Sequence, residues 1–149
     1  MTVRRTVAPL GHRGRQRQGI RLMWSAPGCV VLGRRVVGGT AVVTLAGELD
    51  IACAERLEEA LAGNSSREAP DLAVDLCRVT FMDCSSLPAF LAAYEESRRM
   101  GGCLRVAAPA REPLLLLRAT GLTALFCVHP TLRSATHPRC ARHTVGSTT

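Results

Sequence analysis

The feature that most constrains this chain is a change of hydrophobic period that happens again and again along it. Val30 to Val37 is rich in β-branched residues, Gly38-Gly39 follows, and Thr40 to Ala46 resumes the apolar run. Two such runs around a two-glycine turn predict a β-hairpin. In "GELDIACAERLEEALAGNS" the period lengthens. Ala54, Leu57 and Leu61 recur at helical spacing, with Glu55, Arg56, Glu58 and Glu59 between them. This predicts a helix, capped by Asp50 and ended by Gly63. "DLAVDL" (71–76) reads as a short strand, a loop carries the chain past Arg78, and "VTFMD" is a second short apolar run. From Ser85 the spacing of Leu87, Phe90, Leu91 and Tyr94 is helical again, up to Gly101-Gly102. "CLRVAA" is another strand. Pro113 sits early in the next helix, which carries Leu114 to Leu117 and ends at Gly121, "ALFCV" is a last short strand, and "HPTLRSAT" begins a terminal helix.

The predicted order is β-β-α-β-α-β-α-β-(α). Strands joined through helices pair in parallel, so the expected architecture is α/β. It is a mixed, mostly parallel sheet of four to five strands packed against about four helices, with one antiparallel hairpin at its start. Aromatic residues are only 3% of the 149, so Leu, Val and Ala must build the core.

The net charge of +7 suggests a nucleic-acid partner until its location is read. All basic residues are Arg, and six of them lie before Cys29, where there is no acid. Between Cys29 and Thr136, 11 Arg face 12 acids, which leaves a balance of −1. The basicity belongs to an arm over residues 1–28, expected to be disordered, and to a flexible tail over 137–149. The folded domain, 29–136, is expected to bind neither nucleic acid nor membrane. The arm has no apolar h-region of a secretory signal, and no run of the chain is long enough to span a bilayer. Seven cysteines, an odd number without any C-x-x-C pair, point to neither a zinc site nor a disulfide framework. They fit a reducing cytoplasm.

The chemistry-bearing stretch is "FMDCSSLPAF", Phe81 to Phe90. Asp83, Cys84, Ser85 and Ser86 fall where a strand hands over to a helix. Capping alone accounts for such residues. A thiolate nucleophile would need an Arg a few residues on to hold phosphate. Instead Ser, Ser, Leu, Pro, Ala, Phe and Leu follow Cys84. There is no G-x-S-x-G elbow and no phosphate loop. The four histidines, His12, His129, His137 and His143, fall in or near the tails. The stretch is therefore not expected to be catalytic, nor to need a metal or cofactor. The remaining reading is a serine that another enzyme phosphorylates at a helix N-terminus, where free N–H groups and the dipole tolerate charge.

Three stretches in order resemble the STAS domain, and within it the bacterial anti-sigma factor antagonists. They are "LAGELDIACAERLEEAL", "LAVDLCRVTFMDCSSLPAFLAAYEESRRMGGCLRVAAP" and "LLLLRATGLTALFCV". The resemblance implies a module that binds an anti-sigma factor, which is also a serine kinase, and so releases a sigma factor. The kinase switches the antagonist off by phosphorylating the second serine of a D-S-S-G motif, and a serine phosphatase reverses this. By position, Asp83 matches the Asp, Cys84 the first Ser, Ser85 the phospho-acceptor and Ser86 the Gly. Glu48 and Asp50 match the acids of the GELD segment, expected near the acceptor. Glu48, Asp50, Asp83, Cys84, Ser85 and Ser86 are thus the implied partner-binding residues. The two departures, a thiol for a hydroxyl and a serine for a glycine, also motivate an alternative, a STAS-fold scaffold that binds its partner without phosphorylation.

Overall fold

The computed structural model describes residues 24–26 and 28–137. The expected arm and tail therefore lie almost wholly outside the described residues. Among the described residues six strands form one sheet in chain order: β1 (Trp24–Ala26), β2 (Cys29–Val37), β3 (Thr40–Leu49), β4 (Asp71–Met82), β5 (Leu104–Ala107) and β6 (Val128–His129). β1–β2 and β2–β3 are antiparallel, and the remaining three pairs are parallel. The mostly parallel sheet expected from the sequence is present, and the short β1, upstream of the Cys29 boundary, adds a further edge strand. Five α-helices among the described residues accompany it: α1 (Ala54–Leu61), α2 (Leu87–Arg99), α3 (Arg111–Ala119), α4 (Leu122–Leu125) and α5 (Leu132–Thr136).

The hairpin turn is made by Gly38 and Gly39, with φ of 55° and 80°, and it pairs Val37 with Thr40. Two consecutive positive φ values define the tight turn whose twist matches the strands it joins, and glycine adopts them at little cost. Gly102 answers to a different constraint. A Cβ there would lie 2.2 Å from the Pro70 carbonyl oxygen, so only glycine lets the chain cross the start of β4 on its way into β5.

The two faces of the sheet are covered unequally. Val31, Val43, Leu45, Leu72, Val74, Leu76, Leu104 and Val106 meet Leu57, Leu61, Leu87, Phe90, Leu117 and Phe126 in the main core. Phe126 stacks tilted on Phe90 and Tyr94 at 6.1 and 6.0 Å between ring centroids, so three of the few aromatics sit together. The opposite face carries a small second core, in which Val42, Ala73 and Ala107 are covered by Leu132 and Ala135 of α5. Arg105 fastens that cover. Its Nη1 donates to the Ala135 carbonyl at 2.9 Å, and its Nη2 pairs with Asp71 at 2.9 Å.

Three expectations are corrected. First, "DLAVDL" and "VTFMD" are not two strands across a loop but one 12-residue strand, β4. The pairing with β3 slips between Thr44/Ala46 and again between Gly47/Glu48, each time giving β4 one extra residue. Buried side chains then recur every third residue, Leu76, Val79 and Met82, while Cys77, Arg78, Thr80 and Phe81 are exposed. Alternation by two is the signature of an unbulged strand, and two bulges erase it. Second, Asp50 does not cap α1. The cap position is Cys53, without a side-chain bond, and Asp50 Oδ1 instead accepts from the Ala52 N–H at 3.0 Å. Third, most of "ALFCV" is not strand. Ala124 and Leu125 end α4, and the strand is only Val128–His129. This places His129 in the sheet edge. Leu91, which shares the helical spacing of Leu87, Phe90 and Tyr94, is exposed, and Ala93 and Ser97 take the inner positions with Leu87 and Phe90.

Removing the Asp71 carboxylate leaves Arg105, nearly buried, without its counter-ion. Because Asp71 is partly exposed, Asp71→Ala is expected to cost about 2–3 kcal/mol, below the figure for a fully buried pair. Urea unfolding measures it. Burial, and then the Arg105 charge, lower the His129 pKa. The unfolded chain therefore binds a proton that the folded chain resists. Stability from this group is full above the unfolded value of about 6.5 and is lost as pH falls below it. His129→Gln is expected to flatten the stability-against-pH curve between about pH 7 and 5.

Candidate functional site

The site lies at the C-terminal ends of β3 and β4, adjacent parallel strands. Glu48 pairs with Phe81 and Leu49 with Met82, so the two stretches singled out from sequence end side by side. One backbone bond joins them beyond the ladder, from the Asp83 N–H to the Leu49 carbonyl at 3.0 Å.

Asp83 is in extended backbone (φ −115°, ψ 175°), and a 3-10 turn, Cys84–Ser86, follows before α2 starts at Leu87. The turn is capped by Asp83, not by Ser85. Oδ1 of Asp83 accepts from the Ser85 N–H at 2.9 Å and also from the Ser85 hydroxyl. Pro88 falls in the first turn of α2, where a missing N–H costs nothing. Ser85 is half-buried and Cys84 is exposed. Ser86 is fully buried, and its Oγ donates to the Asp83 carbonyl at 2.7 Å. The two serines thus differ: one hydroxyl reaches the surface on a carboxylate, and the other is folded inward.

The acids of the neighbouring strand end are placed by backbone. Glu48 is exposed, and its N–H donates to the Gly28 carbonyl in the β1–β2 turn. Asp50 is half-buried and closes the small turn onto Ala52. Among the described residues, Asp83 and not Glu48 or Asp50 is the carboxylate hydrogen-bonded to Ser85. What the structure brings together is one strand-end surface, with Asp83, Cys84, Ser85 and Ser86 in a single turn and Glu48 and Asp50 on the adjoining strand.

Three residues of this surface escaped the sequence reading. Cys53 is completely buried, and its thiol points at the Glu48 and Asp50 carbonyls, at 3.6 and 3.4 Å, tying the loop after β3 to the start of α1. Ile51 is 79% exposed and Phe81 is 42% exposed; they lie two residues beyond Leu49 and two before Asp83, the pair joined by the bond from the Asp83 N–H to the Leu49 carbonyl. No sequence signal marks Phe81 as exposed, because it sits in the apolar run "VTFM", where a large aromatic reads as core. Cys103, away from this site beside β5, has its thiol pushed up to about 11, chiefly by burial. Among the described residues no group of three or more His, Cys, Asp or Glu is placed to hold a metal ion. No helix among them is long and apolar enough to cross a membrane.

This arrangement of sheet, capped turn and helix is that of the STAS domain, whose family model matches residues 34–135; the chain belongs to this family. Among solved structures it is similar to an anti-sigma factor antagonist from Mycobacterium paratuberculosis. The identity is 31% and the TM-score 0.65, over 74% of this chain and 94% of that one. It shares its fold with a sulfate transporter family protein from Wolinella succinogenes (19% identity, TM-score 0.57, 68% of this chain and 85% of that one). It also shares it with the Bacillus cell fate determinant SpoIIAA in its phosphorylated form (21%, TM-score 0.52, 69% and 96%). No curated protein sequence matches the chain.

The capping geometry makes Asp83 the structural centre of the turn. Asp83→Ala is expected to cost about 1 kcal/mol in urea unfolding, whereas Asp83→Asn, which keeps the acceptor oxygen, is expected to stay within a few tenths.

Proposed function

We propose that the protein is an anti-sigma factor antagonist acting by partner switching, with Ser85 as the residue whose phosphorylation turns binding off. The observation that carries the reading is the Ser85 hydroxyl, half-exposed at the start of a helix and hydrogen-bonded to the Asp83 carboxylate. Similarity to an antagonist at 31% identity supports the general role. The partner in this reading is an anti-sigma factor that is also a serine kinase, and a serine phosphatase restores the unmodified form.

The mechanism follows from charge and contact. Unmodified, the strand-end surface offers apolar area from Phe81 and Ile51 around a small polar turn. Scattered apolar residues on a surface are ordinary, but two large ones beside a modifiable hydroxyl form a contact that a single group can spoil. A phosphate on Ser85 brings about −1.5 to −2 charges to a turn already carrying Asp83. It also takes away the hydroxyl hydrogen that Asp83 now accepts. The partner then meets bulk, charge and a loosened turn beside the exposed Phe81 and Ile51. None of this needs catalytic groups in the chain itself, so the reading assigns it no enzyme activity.

The thiol at Cys84 and the hydroxyl at Ser86 stand where the family motif has Ser and Gly. The second reading, a binding scaffold without phosphorylation, rests on those positions. The two readings separate cleanly. Phosphate mapped by mass spectrometry after incubation with the serine kinase captured from native lysate and ATP is expected on Ser85. An unmodified Ser85 beside a kinase shown to be active would decide for the scaffold. Ser85→Ala is expected to bind the partner and resist release by ATP. Ser85→Asp is expected to weaken binding tenfold or more, about 1.4 kcal/mol, as read by calorimetry; unchanged affinity would again decide for the scaffold.

A further inference from the structure

The residue after the acceptor is built into the turn more firmly than the acceptor itself. Ser86 is 0% exposed. Its hydroxyl donates to the Asp83 carbonyl at 2.7 Å, and its backbone N–H donates to the same oxygen at 3.2 Å. Its φ and ψ of −80° and −21° lie in the ordinary right-handed region, so a side chain is accommodated without backbone strain. Asp83 is also held on its other side, by the bond from its N–H to the Leu49 carbonyl. With both backbone groups of Asp83 fixed, its carboxylate has a defined direction, and that direction is onto the Ser85 N–H and Oγ. A freely rotating peptide after Asp83 would leave those two bonds to be made and broken with the turn.

We propose that Ser86 is a positioning residue for the Ser85 switch: its buried hydroxyl locks the Asp83 carbonyl and so holds the Asp83 carboxylate on the Ser85 hydroxyl. The same bond makes the turn selective between two adjacent serines. Ser86 is sealed in and already donating, so Ser85 alone is presented to an incoming phosphoryl donor. The functional part of this inference rests on the reading of Ser85 as phospho-acceptor, while the geometric part stands apart from it.

Amide hydrogen exchange of the full chain, followed by NMR in the wild type, Ser86→Ala and Ser86→Gly, tests the geometry without any kinase. Ser86→Ala keeps the Cβ and removes only the hydroxyl. Losing one buried hydrogen bond is expected to speed exchange at the Ser85 amide about five- to tenfold. Ser86→Gly, which also frees the backbone, is expected to speed it further. Amides in the middle of β4 and α2 are expected to stay within about twofold of wild type, as their ladders are untouched. Unchanged exchange at Ser85 in Ser86→Ala overturns the proposal. So does equal acceleration throughout the fold, which would make Ser86 a packing residue only.

The second measurement uses the serine kinase recovered on immobilised wild-type protein. Ser86→Ala is expected to lower kcat for Ser85 phosphorylation about fivefold with KM within about twofold, because positioning acts on the reacting geometry and not on docking. An unchanged kcat, or phosphate found on Ser86 of the wild type, overturns the proposal. A wild-type Ser85 that stays unmodified sinks the phosphorylation reading instead, and the exchange result then stands or falls by itself.

Discussion

The structure depends on one constraint in β4: its second half must bury every third residue. Leu76, Val79 and Met82 all face the helices although an unbulged strand would turn Val79 away from them. Two added residues, one at each slip against β3, make this possible. The slips are accommodated by local bonds. The Asp75 carboxylate accepts from the Cys77 N–H at 3.0 Å, and the Thr80 hydroxyl donates to the Gly47 carbonyl at 3.4 Å. Everything beyond Met82 inherits its register from this correction. Without the two added residues the Thr44–Asp75 pairing would carry Leu49 to Thr80; with them Leu49 pairs with Met82, and Asp83 leaves the strand where β3 ends. Bulges next to functional sites commonly re-aim side chains, and here two of them aim a whole turn.

The turn itself is held by small, local bonds and not by large contacts. Asp83 takes part through its N–H, its C=O and its carboxylate, each with a different partner. Such a cluster has little apolar area of its own. Its order comes from the rigid strand ends on one side and the buried first turn of α2, Leu87 and Phe90, on the other. The turn is thus rigid through its supports while Ser85 and Cys84 stay accessible at its surface.

The sequence made the class of the fold readable because periodicity reports burial directly. The hairpin was legible from Gly38-Gly39, and α1, α2 and α3 from their apolar spacing. The reading failed where period and structure part company. β4 looked like two strands because bulges break alternation. Ala124–Val128 looked like one strand because a four-residue helix and a two-residue strand are both too short to show a period. Of the site, the placing of Asp83 and Ser85 where a strand hands over to a helix was legible from the motif. The division of labour between Asp83 and Ser85 was not, since either residue type caps a helix. Nor was the inward turn of Ser86. A serine in a polar run gives no sign of which way its hydroxyl points.

The back face of the sheet carries a consequence of another kind. Val42, Ala73 and Ala107 come from three different strands, and α5, the last described element, is what covers them. During synthesis those three strands exist well before residues 132–136 do. Until then the small second core has no cover, and Arg105 has neither the Ala135 carbonyl nor a closed environment around its pair with Asp71. A nascent chain stalled short of α5 would present an apolar strip over a half-made ion pair, the kind of surface on which neighbouring chains stick and chaperones dwell. The cover of this face thus rests on α5, the last described helix, far in sequence from the turn that carries Ser85.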